Sequence, residues 1–83
     1  MGERRLDEAV AFGKVLRRLR KEAGLTQEQL GLEADLRRTY VSILELGQQQ
    51  PSLGTLLKLA RALDRPASII LSEFEAELNK PVR

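Results

Sequence analysis

The sequence has no cysteine and no histidine. The first absence removes disulfides, thiolate zinc sites and cysteine nucleophiles together. The second removes Ser-His-Asp triads, imidazole metal ligands and the usual general base near neutral pH. No metal and no cofactor is therefore expected. Aromatic residues are only 4% of the chain, and no apolar run approaches the roughly 20 residues that span a bilayer. The opening Met1-Gly2-Glu3-Arg4-Arg5 leads into mixed charge and not into an apolar signal core, so a cytoplasmic protein with no membrane partner is expected. Phosphate loops, metal-ligand spacings and acid–base pairs are missing as well, which argues against an enzyme.

What remains is the make-up of a small globular domain. Eighty-three residues leave room for one domain over 1–83, with 42% hydrophobic and 31% charged residues. Sixteen leucines against four valines and three isoleucines favour helices. The formal net charge is +2. Lys14, Arg17, Arg18, Arg20 and Lys21 cluster, Arg37 and Arg38 follow, and Glu73, Glu75 and Glu77 lie near the other end. A basic front and an acidic tail would present one face to an anionic partner; solvated helix surfaces would look the same.

Periodicity and punctuation divide the chain into five helices. The first covers about 7–23, with Phe12, Leu16, Leu19 and Ala23 on one stripe and Gly24 as the stop. Thr26 and Gln29 have the spacing of a capping box for the second, and Leu25 with Leu30 that of a hydrophobic staple; it ends near 34–35. The third covers about 38–46, with Val41 and Leu44 inward and Gly47 in the left-handed cap. Pro51 closes a loop, and Ser52 caps a fourth helix through Leu63 whose apolar side is Leu53, Leu56, Leu57, Ala60 and Leu63. The fifth, about 67–79, carries Ile70, Leu71, Phe74 and Leu78 and stops at Pro81.

The segment from about 26 to 47 is the informative one. Two short helices a few residues apart match a helix-turn-helix, whose second helix enters the DNA major groove. Gly31 is small where a neighbour must approach, and Asp35 sits in the turn, where it tolerates the left-handed conformation. Leu36, Val41 and Leu44 would anchor the second helix and leave Arg37, Arg38, Thr39 and Ser42 outward.

Thr26-Gln27-Glu28-Gln29-Leu30, Arg38-Thr39-Tyr40-Val41-Ser42, Glu45, Gly47, Pro51-Ser52, Thr55-Leu56 and Leu59-Ala60-Arg61-Ala62-Leu63 together resemble the Cro/repressor-type helix-turn-helix family. Within it, Leu36-Arg37-Arg38-Thr39-Tyr40-Val41-Ser42 is most similar to the controller proteins of restriction–modification operons. The resemblance implies an all-α, five-helix, lambda-repressor-like domain that binds double-stranded DNA as a homodimer on a two-fold related operator, as a repressor or autoregulator.

It further implies that Arg38, Thr39 and Ser42 read base edges with Arg37 at the helix entrance; Ile43, which departs from the family pattern, is read separately as a thymine-methyl contact. Gln27 takes the place of a phosphate-gripping glutamine, with Thr26, Tyr40, Gln48 and Ser52 as further backbone contacts. Arg20 and Glu45 correspond to a partly buried ion pair. Ile69, Ile70, Phe74 and Leu78, on a C-terminal helix at about 67–80, correspond to a dimer interface that sets recognition helices about 34 Å apart. Three features depart from the family pattern. Arg37 replaces a Ser or Thr cap, at a cost of about 1 kcal/mol unless Asp35 substitutes. Gln48-Gln49-Gln50 replaces a basic loop, and Leu32, Ile43 and Leu46 stand where polar residues are usual; beside the thymine contact favoured for Ile43, they read as incidental exposed hydrophobes, favoured for Leu32, or as a patch for another protein. The competing reading is a protein-interaction module, such as an antitoxin or bridging factor.

Overall fold

The computed structural model describes residues 7–80. Five helices and no strand form among them: α1 (Glu8–Glu22), α2 (Gln27–Ala34), α3 (Arg38–Glu45), α4 (Leu53–Ala62) and α5 (Ala67–Leu78). Side chains set three of the starts. Asp7 Oδ1 accepts from the Val10 N–H at 2.8 Å, and Ser52 Oγ from the Thr55 N–H at 3.1 Å. At α2 the capping box is complete: Thr26 Oγ1 accepts from the Gln29 N–H at 3.0 Å, and Gln29 Oε1 from the Thr26 N–H at 2.9 Å. Gly24 and Gly47, both at φ +74°, turn the chain after α1 and α3. The α5 helix ends on Asn79 as its cap, ahead of Pro81, which lies outside the described residues.

The core is built from Phe12, Val15, Leu16 and Leu19 of α1, Leu30 and Ala34 of α2, Val41 and Leu44 of α3, Leu56, Leu59 and Ala60 of α4, Leu63, and Ile70 of α5. Helix α1 packs on both α3 and α5, α2 on α3 and α4, and α4 on α5. The staple residues take their expected places, Leu30 fully buried and Leu25 packed on the core.

Three residues expected inside are not. Ala23 is exposed as the cap of α1, because the core has ended at Leu19. Leu53 and Leu57 are exposed on α4, whose buried stripe is Leu56, Leu59, Ala60 and Leu63. That stripe is the i, i+3, i+4, i+7 pattern, and Leu57 is rotated about 100° out of it. Leu53 fits the period but sits in the first turn, beyond the end of the core.

Close approach between α1 and α3 depends on Gly13. A Cβ there would lie 2.6 Å from the carbonyl oxygens of Leu44 and Glu45, which are backbone atoms and cannot swing aside. Gly13→Ala must push α3 off α1 and is expected to cost about 1–3 kcal/mol by overpacking. A urea midpoint equal to the parent's would show that α3 shifts freely.

Candidate nucleic-acid interface

The two helices of the motif meet through a turn made largely by backbone. Asp35 adopts the left-handed conformation at φ 57°, and the Leu36 N–H donates to the Gly31 carbonyl at 2.8 Å. Gly31 is required here, since a Cβ would stand 2.6 Å from the Leu36 carbonyl oxygen. Leu36 and the half-buried Tyr40 pack on the core beside Val41 and Leu44, which fixes the inner face of α3. Its outer face then carries Arg38 and Thr39, both exposed, and Ser42 and Ile43, both half-buried.

Arg37 is the N-cap of α3 and its side chain makes no capping bond, and Asp35 does not substitute. The Asp35 carboxylate instead lies 3.9 Å from Lys58 Nζ. The first-turn N–H groups of α3 therefore have no side-chain acceptor, which leaves positive potential at that end. Arg37 and Arg38 add two cations there, and neither has an acidic partner among the described residues.

The start of α2 lies beside the start of α3: one concavity is lined by Arg20, Gly24, Leu25, Thr26, Gln27, Glu28 and Arg38. Beneath it Arg20 and Glu45 meet, Nε to Oε2 at 2.6 Å and Nη2 to Oε1 at 3.1 Å. Their side chains are 11% and 4% exposed. Arg20 also donates to the Leu25 carbonyl at 2.9 Å, and Gln27 Nε2 donates to Glu45 Oε1 at 3.0 Å. One carboxylate thus ties the end of α1, the start of α2 and the end of α3 together. The hydrogen bonds from Arg20 to Glu45 hold the guanidinium above its ordinary pKa, against the effect of burial, so it stays charged.

The structure separates the remaining sequence candidates. Gln48 is exposed in the loop after α3. The Ser52 hydroxyl is engaged in capping α4, donating to Thr55 Oγ1 at 3.1 Å as well as accepting from the backbone. The four residues assigned to an interface on α5 do not share a face. Ile70 is 1% exposed and belongs to its own chain's core. Phe74 stacks edge-on against Phe12 with centroids 6.2 Å apart. Ile69 is turned roughly 180° from Leu78 at about 100° per residue. The side of α5 that carries Phe74 and Leu78 includes Leu71 instead, at 41% exposure. Leu71 borders an apolar groove with Phe12, Pro51, Leu53, Leu56 and Phe74.

Sequence reasoning missed a second polar clasp. Arg18 pairs with Glu73, and its Nη1 lies 3.7 Å from the largely buried Glu77, which Lys80 also meets at 3.2 Å. The basic front and acidic tail are therefore partly one internal contact that holds α5 to α1. No signal in the sequence pairs residues 55 positions apart. Among the described residues no buried side-chain polar atom lacks a partner, no acidic cluster fits a metal ion, and no helix is long and apolar enough to cross a membrane.

Residues 16–70 match the helix-turn-helix family. The control protein C.MunI of a Mycoplasma species is 39% identical over 72 residues, covering 86% of this chain and 97% of that protein. The crystal structure of the restriction–modification controller protein C.AhdI from Aeromonas hydrophila superposes with a TM-score of 0.73 at 44% identity, over 76% of this chain and 96% of that one. The clp gene regulator ClgR from Corynebacterium glutamicum gives 0.80 at 27% identity, over 86% and 92%. The family match takes in the end of α1, the whole two-helix motif and the start of α5, and the chain belongs to the helix-turn-helix family.

Proposed function

We propose how this DNA-binding transcription regulator works: as a single-domain, cytoplasmic homodimer on a two-fold related operator, with no catalytic step. Helix α3 lies in the major groove, where Arg38, Thr39, Ser42 and Ile43 face base edges and Arg37 stands at the entrance. Gln27 and Thr26 at the start of α2 take the phosphate backbone, flanked by Tyr40 and Gln48. Ser52 joins them only by releasing Thr55. The observation that carries this reading is the pair Arg37 and Arg38, exposed and without an acidic partner among the described residues, on the uncapped first turn of a helix whose opposite face is locked in the core. Unpaired guanidiniums beside free backbone N–H groups suit a polyanion, and Arg is the side chain that bonds guanine bidentately. Selection from a random duplex pool should converge on two related half-sites. A pool that stays random after several rounds sinks the reading.

The dimer is assigned to the exposed side of α5. Leu71 and Phe74 border the groove that Leu53 also lines, and the half-buried Leu78 lies on the same side of α5; a second copy would cover this apolar surface. Leu71→Glu should leave the fold intact, because Leu71 is already 41% exposed, and should shift sedimentation from dimer to monomer. A parent protein that sediments as a monomer well above the concentration needed for DNA binding would remove the dimer.

A further inference from the structure

We propose that the outer face of α3 reads thymine through its C5-methyl group, by an aliphatic ridge made of Ile43 and Leu46 with the Thr39 methyl. The inference rests on the reading that α3 enters the major groove. At about 100° per residue, Thr39, Ser42, Ile43 and Leu46 fall within an arc of about 100°. The fully buried Val41 and Leu44 occupy the other side. Leu46 caps α3 with right-handed helical dihedrals, φ −81° and ψ −2°, so the ridge follows the helix direction to its end. It is also 65% exposed, the second half of a face on which Ile43 is half-buried.

Neither Ile43 nor Leu46 can donate or accept a hydrogen bond. Most base-edge groups in the major groove are donors or acceptors, and covering one with an aliphatic side chain strands it without water. The thymine methyl is the one apolar group there large enough to fill a contact with an aliphatic side chain, since cytosine offers only a C5 hydrogen at the same place. The arginines at the start of α3 favour DNA on this face, so the ridge is carried into the groove with them. A duplex also suits the face better than an apolar protein partner would, since such a partner would have to desolvate Arg38 and Thr39 alongside the ridge.

The test uses the full chain and a duplex selected from the random pool, with thymines replaced singly by uracil. That exchange deletes the methyl and leaves every hydrogen-bonding group in place. Anisotropy titrations should show one or two positions per half-site where uracil weakens binding about fourfold, the affinity equivalent of one buried methyl-sized group. Leu46→Ser or Ile43→Ser should bind the thymine and uracil duplexes alike at those positions. Leu46 is exposed enough that its variant must fold, as circular dichroism can check, and it decides the matter if Ile43→Ser does not. If no uracil position matters while Arg38→Ala still relaxes sequence preference, the ridge does not read methyls although α3 reads bases. Full uracil sensitivity in Leu46→Ser and in a folded Ile43→Ser overturns it too. If selection yields no preferred sequence, the groove reading fails and this inference falls with it.

Discussion

Glu45→Ala is expected to destabilise the protein by about 2–4 kcal/mol, far more than the roughly 0–1 kcal/mol of an exposed ion pair. The substitution removes a carboxylate that is 4% exposed and accepts from both Arg20 and Gln27. Arg20, 11% exposed in the parent, cannot escape by losing its proton, because arginine stays charged even when the partner that raised its pKa is gone and only burial remains to lower it. Its bond to the Leu25 carbonyl and its remaining access to water keep the loss below the ~3–5 kcal/mol of a fully dry pair. For a domain of this size, total stability is on the order of 4–12 kcal/mol, so the loss is a large share. The melting temperature should fall on the order of 15 °C. A raised basic pKa contributes stability that is complete below the ordinary arginine range and is lost only as pH rises past the raised value. Arg20 thus gives the pair no pH dependence of its own near neutrality. Arg20→Met combined with Glu45→Leu should recover part of the loss, since it removes both desolvated charges at once. A Glu45→Ala variant melting within about 3 °C of the parent would show that Arg20 finds water or another acceptor at little cost.

The same pair shows what a sequence can and cannot reveal. Helix starts were legible because their chemistry is local: Thr26 reaches Gln29, and Ser52 reaches Thr55, within one turn of chain. The left-handed positions at Asp35 and Gly47 were legible for the same reason, each being a residue that tolerates positive φ, and Gly24, read as a helix stop, also takes one. Arg20 and Glu45 were brought together only through the family resemblance, since nothing local links residues 25 positions apart. Arg18, Glu73 and Glu77 had no such guide, and their charges read as two opposite surfaces until α5 was laid along α1. On α5 the limit is rotational. A short helix rich in apolar residues has no narrow stripe, so sequence could not say that Ile70 turns inward while Leu71 stays out. The bridge from Gln27 to Glu45 was also invisible, and it bears on function. It spends one N–H of the side-chain amide on Glu45 and leaves the other for the phosphate contact proposed for Gln27.

Arg38→Ala should weaken the selected operator by about 1–3 kcal/mol per half-site, on the order of a thousandfold for a dimer, and relax preference at one base position in each half-site. Arg38 is the first residue of α3, exposed, beside Gln27 across the concavity at the start of α2, and no carboxylate holds it among the described residues. A bond to guanine would disappear together with the information it carries, so random duplexes should be weakened less than the operator. Gln27→Ala should behave differently. A neutral amide on a phosphate carries no sequence information and releases no counterion, so all duplexes should weaken alike with the salt slope unchanged. Arg37 stands one residue outside the helix, where it can reach either a base or the backbone. If it neutralises a phosphate, Arg37→Ala should reduce the magnitude of the slope of log K against log salt by about 0.9 for each phosphate left without its cation. The measurement is one salt series on three variants against operator and random duplex. Should Arg38→Ala weaken every duplex equally and flatten the salt slope, Arg38 is a backbone contact, and sequence must be read by Thr39, Ser42 and Ile43.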